Sequence, residues 1–142
     1  MLVLDLPPEE GESYEKLMAK AGMSNIYLVA PTTPEERIEL IVKRGRGFIY
    51  YVSREGVTGM QTKVADSIAQ MTAKIRAHTK LPIAVGFGIS TPEQARAVAA
   101  SAEAVVVGSA IVNRIAKSGA EPNLTERVTE FVNSLLQAVR KA

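Results

Sequence analysis

Five short apolar runs, "LVLDL" (2–6), "NIYLVA" (25–30), "GFIYYV" (47–52), "PIAVGF" (82–87) and "AVVVG" (104–108), recur along the chain with longer amphipathic stretches between them. None alternates cleanly between polar and apolar, so each reads as a strand buried on both faces, the habit of a parallel sheet covered by helices. The intervening "PEEGESYEKLMAKAG", "TPEERIELIVKRG", "KVADSIAQMTAKIRAHT" and "TPEQARAVAASA" read as those helices. In the second, Ile38, Ile41 and Val42 share one helical face while Glu36, Glu39 and Lys43 point outward. Five βα units joined by right-handed crossovers specify an α/β fold, either a doubly wound sheet or part of a barrel. A complete (β/α)8 barrel needs at least about 200 residues, and this chain has 142. The expected architecture is one domain, 1–142, with a parallel sheet of five βα units. That sheet is a partial (β/α)8 barrel or, if rearranged, an open flavodoxin-like sheet covered on both faces.

The punctuation agrees with this division. Thr33-Pro34 and Thr91-Pro92 each place a capping hydroxyl before a proline suited to the first helical position, with Glu36 three residues after Thr33 as in a capping box. Gly22 and Gly45 fall where helices should stop. A short helix is expected over 109–117, then a final one in which Val128, Phe131, Val132, Leu135 and Val139 form the burying stripe. Tyr50 and Tyr51, adjacent on a strand, must face opposite sides.

Charge and composition exclude several function classes. Lys and Arg, 17 in all, are interspersed with 15 Asp and Glu, so the net +2 forms no stripe for nucleic acid. Cysteine is absent, which excludes disulfides and thiolate metal sites and suits a reducing cytoplasm. No apolar run approaches the ~20 residues of a membrane helix, and no signal peptide opens the chain. His78, the single histidine, reads as a surface residue near a helix C-terminus, away from the ligand loops.

Ligands of parallel α/β folds sit at the carboxyl ends of the strands. Three such ends are glycine-rich here: "SREGVTG", "GFGIS" and "VVGSAIV". Backbone N–H groups at Gly59, Gly88 and Gly108 can approach an anion closely, and Ser109 is expected to cap a short helix whose positive end faces the same spot. In barrels, the loops after the last two strands and the start of a short extra helix commonly hold phosphate. Phosphate binding is the expected chemistry. A solvated loop charge is the simplest reading of Arg54.

"YYVSREGVTG", "PIAVGFGISTPEQ" and "VVVGSAIV" resemble the tryptophan synthase α chain family, and "LVLDLPPEE" and "LVAPTTPEERI" match its preceding strands. The resemblance runs in order through essentially the whole chain. It implies a lyase of tryptophan biosynthesis that cleaves indole-3-glycerol phosphate by retro-aldol chemistry to indole and glyceraldehyde 3-phosphate. It implies no cofactor of its own, and a PLP-dependent β chain as partner. Carried over by residue, the phosphate falls to Gly59, Gly88, Gly108 and Ser109. The indole pocket falls to Tyr50, Val52 and Phe87, with Leu2, Val29 and Val106 as the apolar wall, and Thr58 lies in a loop that closes over substrate.

The two carboxylates that the family uses for catalysis lie upstream of everything present, since the chain opens at what resembles the fourth strand. The reaction needs a general acid/base pair, and Asp5, which ends the first run, is one carboxylate where two are required. No catalytic residue is therefore assigned, and the lone chain is expected to be inactive. It is expected either to keep the phosphate-binding half of a lyase site or to serve as a non-catalytic phosphate-binding or engineered structural half-barrel. Met1 directly before a predicted strand reads as a deliberate cut. A partial barrel exposes sheet edges and an apolar interior, so homo-oligomers, dimers above all, are expected.

Overall fold

The computed structural model of the chain describes residues 1–53, 61–86, 88–119 and 121–142, with 61–64 described through their backbone alone. A short 3-10 turn, Pro8–Glu10, leads into α1 (Glu12–Lys20), β1 (Tyr27–Val29) and α2 (Glu35–Arg44). Then follow β2 (Ile49–Val52), α3 (Gln61–Arg76), β3 (Ile83–Gly86), α4 (Pro92–Ala99), β4 (Ala104–Val106), α5 (Ser109–Ser118) and α6 (Leu124–Val139). No helix among the described residues is long and apolar enough to cross a membrane.

The strands are all parallel and lie in the order β1-β2-β3-β4. Consecutive order is that of a barrel wall; a flavodoxin-like sheet reverses direction partway, and the rearranged alternative is not the arrangement found. Register sorts the side chains into two faces. Tyr27, Ile49 and Ile83 make one row, and Val29, Tyr51, Val85 and Val105 the next. These rows meet Ile38, Ile41 and Val42 of α2, Ile68 and Ile75 of α3, Ala95 and Val98 of α4, and Phe131 and Leu135 of α6 in one core. Burying a side chain such as Ile49 or Ile83 fully contributes roughly 1.5–3 kcal/mol, so the helix-covered face dominates stability. The other face carries Leu28, Tyr50, Ala84 and Ala104 in one row and Val52, Gly86 and Val106 in another. It is apolar throughout, and it stays partly open: Val106 is 37% exposed.

The first apolar run does not make a fifth strand. Only Leu2 pairs, through a single parallel bridge to Ile26, with the Ile26 N–H donating to the Met1 carbonyl at 2.8 Å. The chain then turns at Leu4-Asp5 and meets Pro7 and Pro8. Prolines have no N–H to donate, so the ladder cannot be continued through Pro7 and Pro8. The leading ammonium donates to the Ser24 carbonyl at 2.6 Å and fixes the start of the run.

Caps divide between expectation and correction. Thr91 caps α4 in a full capping box with Gln94. Thr33 does not cap α2: its hydroxyl accepts the Ala30 N–H at 2.9 Å, and the N-cap is Pro34. The hydroxyl is drawn back to close the turn that leaves β1. Gly22 ends α1 with φ +68°, a left-handed conformation suited to glycine, whereas Gly45 ends α2 in extended backbone. Tyr51 is buried under the helices and Tyr50 stands on the open face, as their adjacency requires.

Candidate phosphate cradle and apolar wall

β3 and β4 are neighbours in the sheet, so the loops leaving their carboxyl ends lie side by side. The loop after β3 is fastened at its far side. Ile89 is buried in the core, and the Gln94 side-chain oxygen accepts from the Ser90 N–H at 2.8 Å, the Ser90 hydroxyl at 3.1 Å and the Thr91 N–H at 3.2 Å. Gly88 is thereby held exposed at φ +70°, a conformation that a Cβ would strain.

After β4, Gly108 is the N-cap of α5 and Ser109 its first residue; no side chain caps the helix, contrary to the role expected of Ser109. The Gly108 carbonyl accepts from the Ile111 and Val112 N–H groups at 3.0 and 3.1 Å. Helix geometry then leaves the Ser109 and Ala110 N–H groups without an intrahelical acceptor at the positive end of the dipole. A Cβ built on Gly108 meets nothing within 4 Å, so the space in front of it is open. The loops that carry Gly88 and Gly108-Ser109 thus leave the same end of two neighbouring strands. Gly59, Thr58, Phe87 and Arg54 lie outside the described residues.

Below that rim is the apolar wall. Tyr50, Val52 and Val106 share the open face, and Leu2 pairs with Ile26, which has the same parity as Leu28. Val29 is a correction. It is fully buried on the helix side, in register with Tyr51, and Leu28 occupies the wall position that the sequence reading gave to it. A phase error of one residue moves a strand side chain through the sheet. The Tyr50 ring lies across the wall, its hydroxyl 2.9 Å from where a Gly86 Cβ would stand, and burial pushes the phenol's pKa up. Sequence reasoning missed this contact between Gly86 and Tyr50, which depends on strand register.

Asp5 lines a cleft of about 350 Å³ with Leu6, Tyr27, Leu28, Thr33 and Arg37, and it is the only carboxylate among the described residues there. Arg37 donates to Glu9 through both terminal guanidinium nitrogens. His78 packs against α2, its Nε2 3.1 Å from Glu35 and Nδ1 3.7 Å from Glu39.

A consecutive parallel sheet, helices on one face and glycine-built loops at the strand ends define a segment of a (β/α)8-barrel wall. The comparisons narrow the class. The signature of the family described as tryptophan synthase alpha chain matches residues 1–140, and the chain belongs to that family. It is 48% identical to the tryptophan synthase alpha chain of Opitutus terrae, over 99% of this chain and 53% of that one. With the corresponding protein of Thioalkalivibrio sulfidiphilus the identity is 47%, over 100% and 52%. Among solved structures, tryptophan synthase subunit alpha from Legionella pneumophila superposes with a TM-score of 0.83 at 34% identity, over 99% of this chain and 52% of that one. Tryptophan synthase from M. tuberculosis superposes with a TM-score of 0.82 at 27% identity, over 98% and 49%. The chain therefore spans about half the length of the relatives it matches.

Proposed function

We propose that these 142 residues act as one unit, the phosphate-binding half of a tryptophan synthase α-type lyase site, and that they do not turn substrate over alone. The reading is supported by exposed, positive-φ Gly88 and the uncapped N-terminus of α5 at Gly108 and Ser109, which follow neighbouring strands. Free N–H donors and a helix dipole converge there, each dipole–charge interaction contributing about 0.3–1 kcal/mol in the open and up to about 2 when partly buried. The phosphate of indole-3-glycerol phosphate, or of another phosphate ester, fits this chemistry. The indole would lie on the wall made by Tyr50, Val52 and Val106, with Leu2 beside it; the assignments of Gly59 to the phosphate and of Thr58 and Phe87 to the pocket fall outside the described residues.

Cleavage of the indole–glycerol bond requires a proton delivered to indole C3 and one taken from the glycerol hydroxyl that becomes the aldehyde. Among the described residues the wall holds no carboxylate, and Asp5 lies alone in its cleft. The two missing groups belong to the half of the relatives that this chain does not span, and the β chain that consumes indole is the family partner. A cytoplasmic setting goes with such a role.

The test is a titration with glycerol phosphate, following the backbone amides of Gly88 and Gly108, beside an assay for indole release. Saturable shifts at both amides with no indole formed are expected. Absence of shifts would leave a purely structural half-barrel, and indole release lost on Asp5→Asn would overturn the inactive assignment.

A further inference from the structure

A cleft of about 350 Å³ opens between α5 and α6, and its lining carries Arg114, Lys117 and Arg127 but no carboxylate. We propose that this cleft binds a small, highly charged phosphoryl anion of the pyrophosphate type, at a site separate from the candidate cradle. The volume falls within the ~300–1,000 Å³ of small-molecule sites. The inference is independent of the phosphate-cradle reading. Ser109 opens α5, whereas Lys117 and Ser118 end it, about 12 Å further along the axis at the rise of an α-helix.

Helical spacing assembles the donors. On α5, Arg114 and Ser118 are four residues apart, as are Asn113 and Lys117; on α6, Arg127 stands four before Phe131. The Arg114 guanidinium carbon lies 3.9 Å from the centroid of the buried Phe131 ring. That attraction holds the flat cation by one face and leaves its N–H edge for an oxyanion. Arg37, Arg44 and Arg76 are each matched to a glutamate. Among the described residues neither Arg114 nor Lys117 has a hydrogen bond or an ion pair. Arg127 is shared with Glu121, so two positive charges in the cleft are uncompensated. Ser118 supplies an independent sign of a ligand. It lines the cleft, is only 6% exposed, and its hydroxyl has no hydrogen-bond partner among the described residues. A hydroxyl so confined has given up most of its water without gaining a protein partner, a cost that a bound oxyanion removes. A single carboxylate would neutralise only one of the free cations; a compact anion of two or three charges answers both.

The test is a titration of the chain with inorganic pyrophosphate, following the Arg114 Nε–H and the Asn113 and Ser118 amides by NMR. Saturable shifts at these signals are expected, at lower concentration than glycerol phosphate needs to move them. Lys117 is exposed and outside the core, so Lys117→Met should fold as the parent does and weaken binding about tenfold or more, the loss of one charge-assisted bond. Lys43→Met removes the same charge from the exposed side of α2 and should leave the affinity unchanged. Ser118→Ala should lower the affinity without lowering the urea midpoint. Shifts that never saturate overturn the proposal, as do shifts confined to Gly88 and Gly108, which would give pyrophosphate to the cradle alone. Equal weakening by Lys117→Met and Lys43→Met overturns it too, since net charge would then suffice. Equal affinity for citrate overturns the phosphoryl assignment.

Discussion

Gly86 shows how tightly one residue can be specified. A Cβ there would stand 2.7 Å from the Val106 Cβ, 2.8 Å from the Val106 carbonyl oxygen and 2.9 Å from the Tyr50 hydroxyl. The phenol can swing away; the β4 backbone cannot. Gly86→Ala is expected to cost about 1–3 kcal/mol, the usual range for overpacking, as a lower urea midpoint with unchanged m. In a Tyr50→Phe background the cost should persist, because the backbone contact remains. None of this was legible in the sequence, where Gly86 is one glycine of "VGFG". The adjacency of Tyr50 and Tyr51 forced opposite faces, but nothing equivalent fixed the phase of β1. The reading therefore placed Val29 on the wall, where the structure has Leu28.

At the scale of elements, α1 buries no residue of its own, and a polar cluster holds it to the sheet. Glu15 accepts from the Tyr27 hydroxyl at 2.6 Å and from Arg44 Nε and a terminal nitrogen at 2.8 and 3.0 Å, joining α1 to β1 and α2. Hydrogen bonds from the Arg44 guanidinium hold the Glu15 carboxyl below its ordinary range, while burial and the neighbouring carboxylate push the Tyr27 phenol up to about 12. A depressed carboxyl stabilises the fold above its unfolded pKa and ceases to do so as pH falls through the folded one. A raised phenol stabilises below its ordinary 10.0 and ceases to do so as pH rises to about 12. Glu15→Gln is therefore expected to lose about 1–2 kcal/mol near neutrality and to flatten the acid limb of stability against pH. Spectrophotometric titration should show late-titrating tyrosines, of which Tyr27→Phe removes one. Helix identities were legible throughout because apolar spacing and caps repeat locally. The first run was misread because strand character depends on a paired neighbour, and among the described residues only Leu2 pairs, with Ile26.

For the molecule as a whole, the repeat count carried most of the reading: alternating runs gave a parallel α/β sheet, and length excluded a closed ring. The glycines at strand ends suggested the candidate cradle, and the capping role expected of Ser109 was not the one found. Strand order has a further consequence. Each strand touches only the strands before and after it in sequence, so the sheet behaves as a short one-dimensional array. Cooperativity in such an array runs from neighbour to neighbour, and its outermost members open first. Amide exchange should be slowest at Tyr51 and Val85, on the inner strands, and faster at Val29 and Val105 on the outer ones. Melting should then begin at the margins and travel inward, layer by layer.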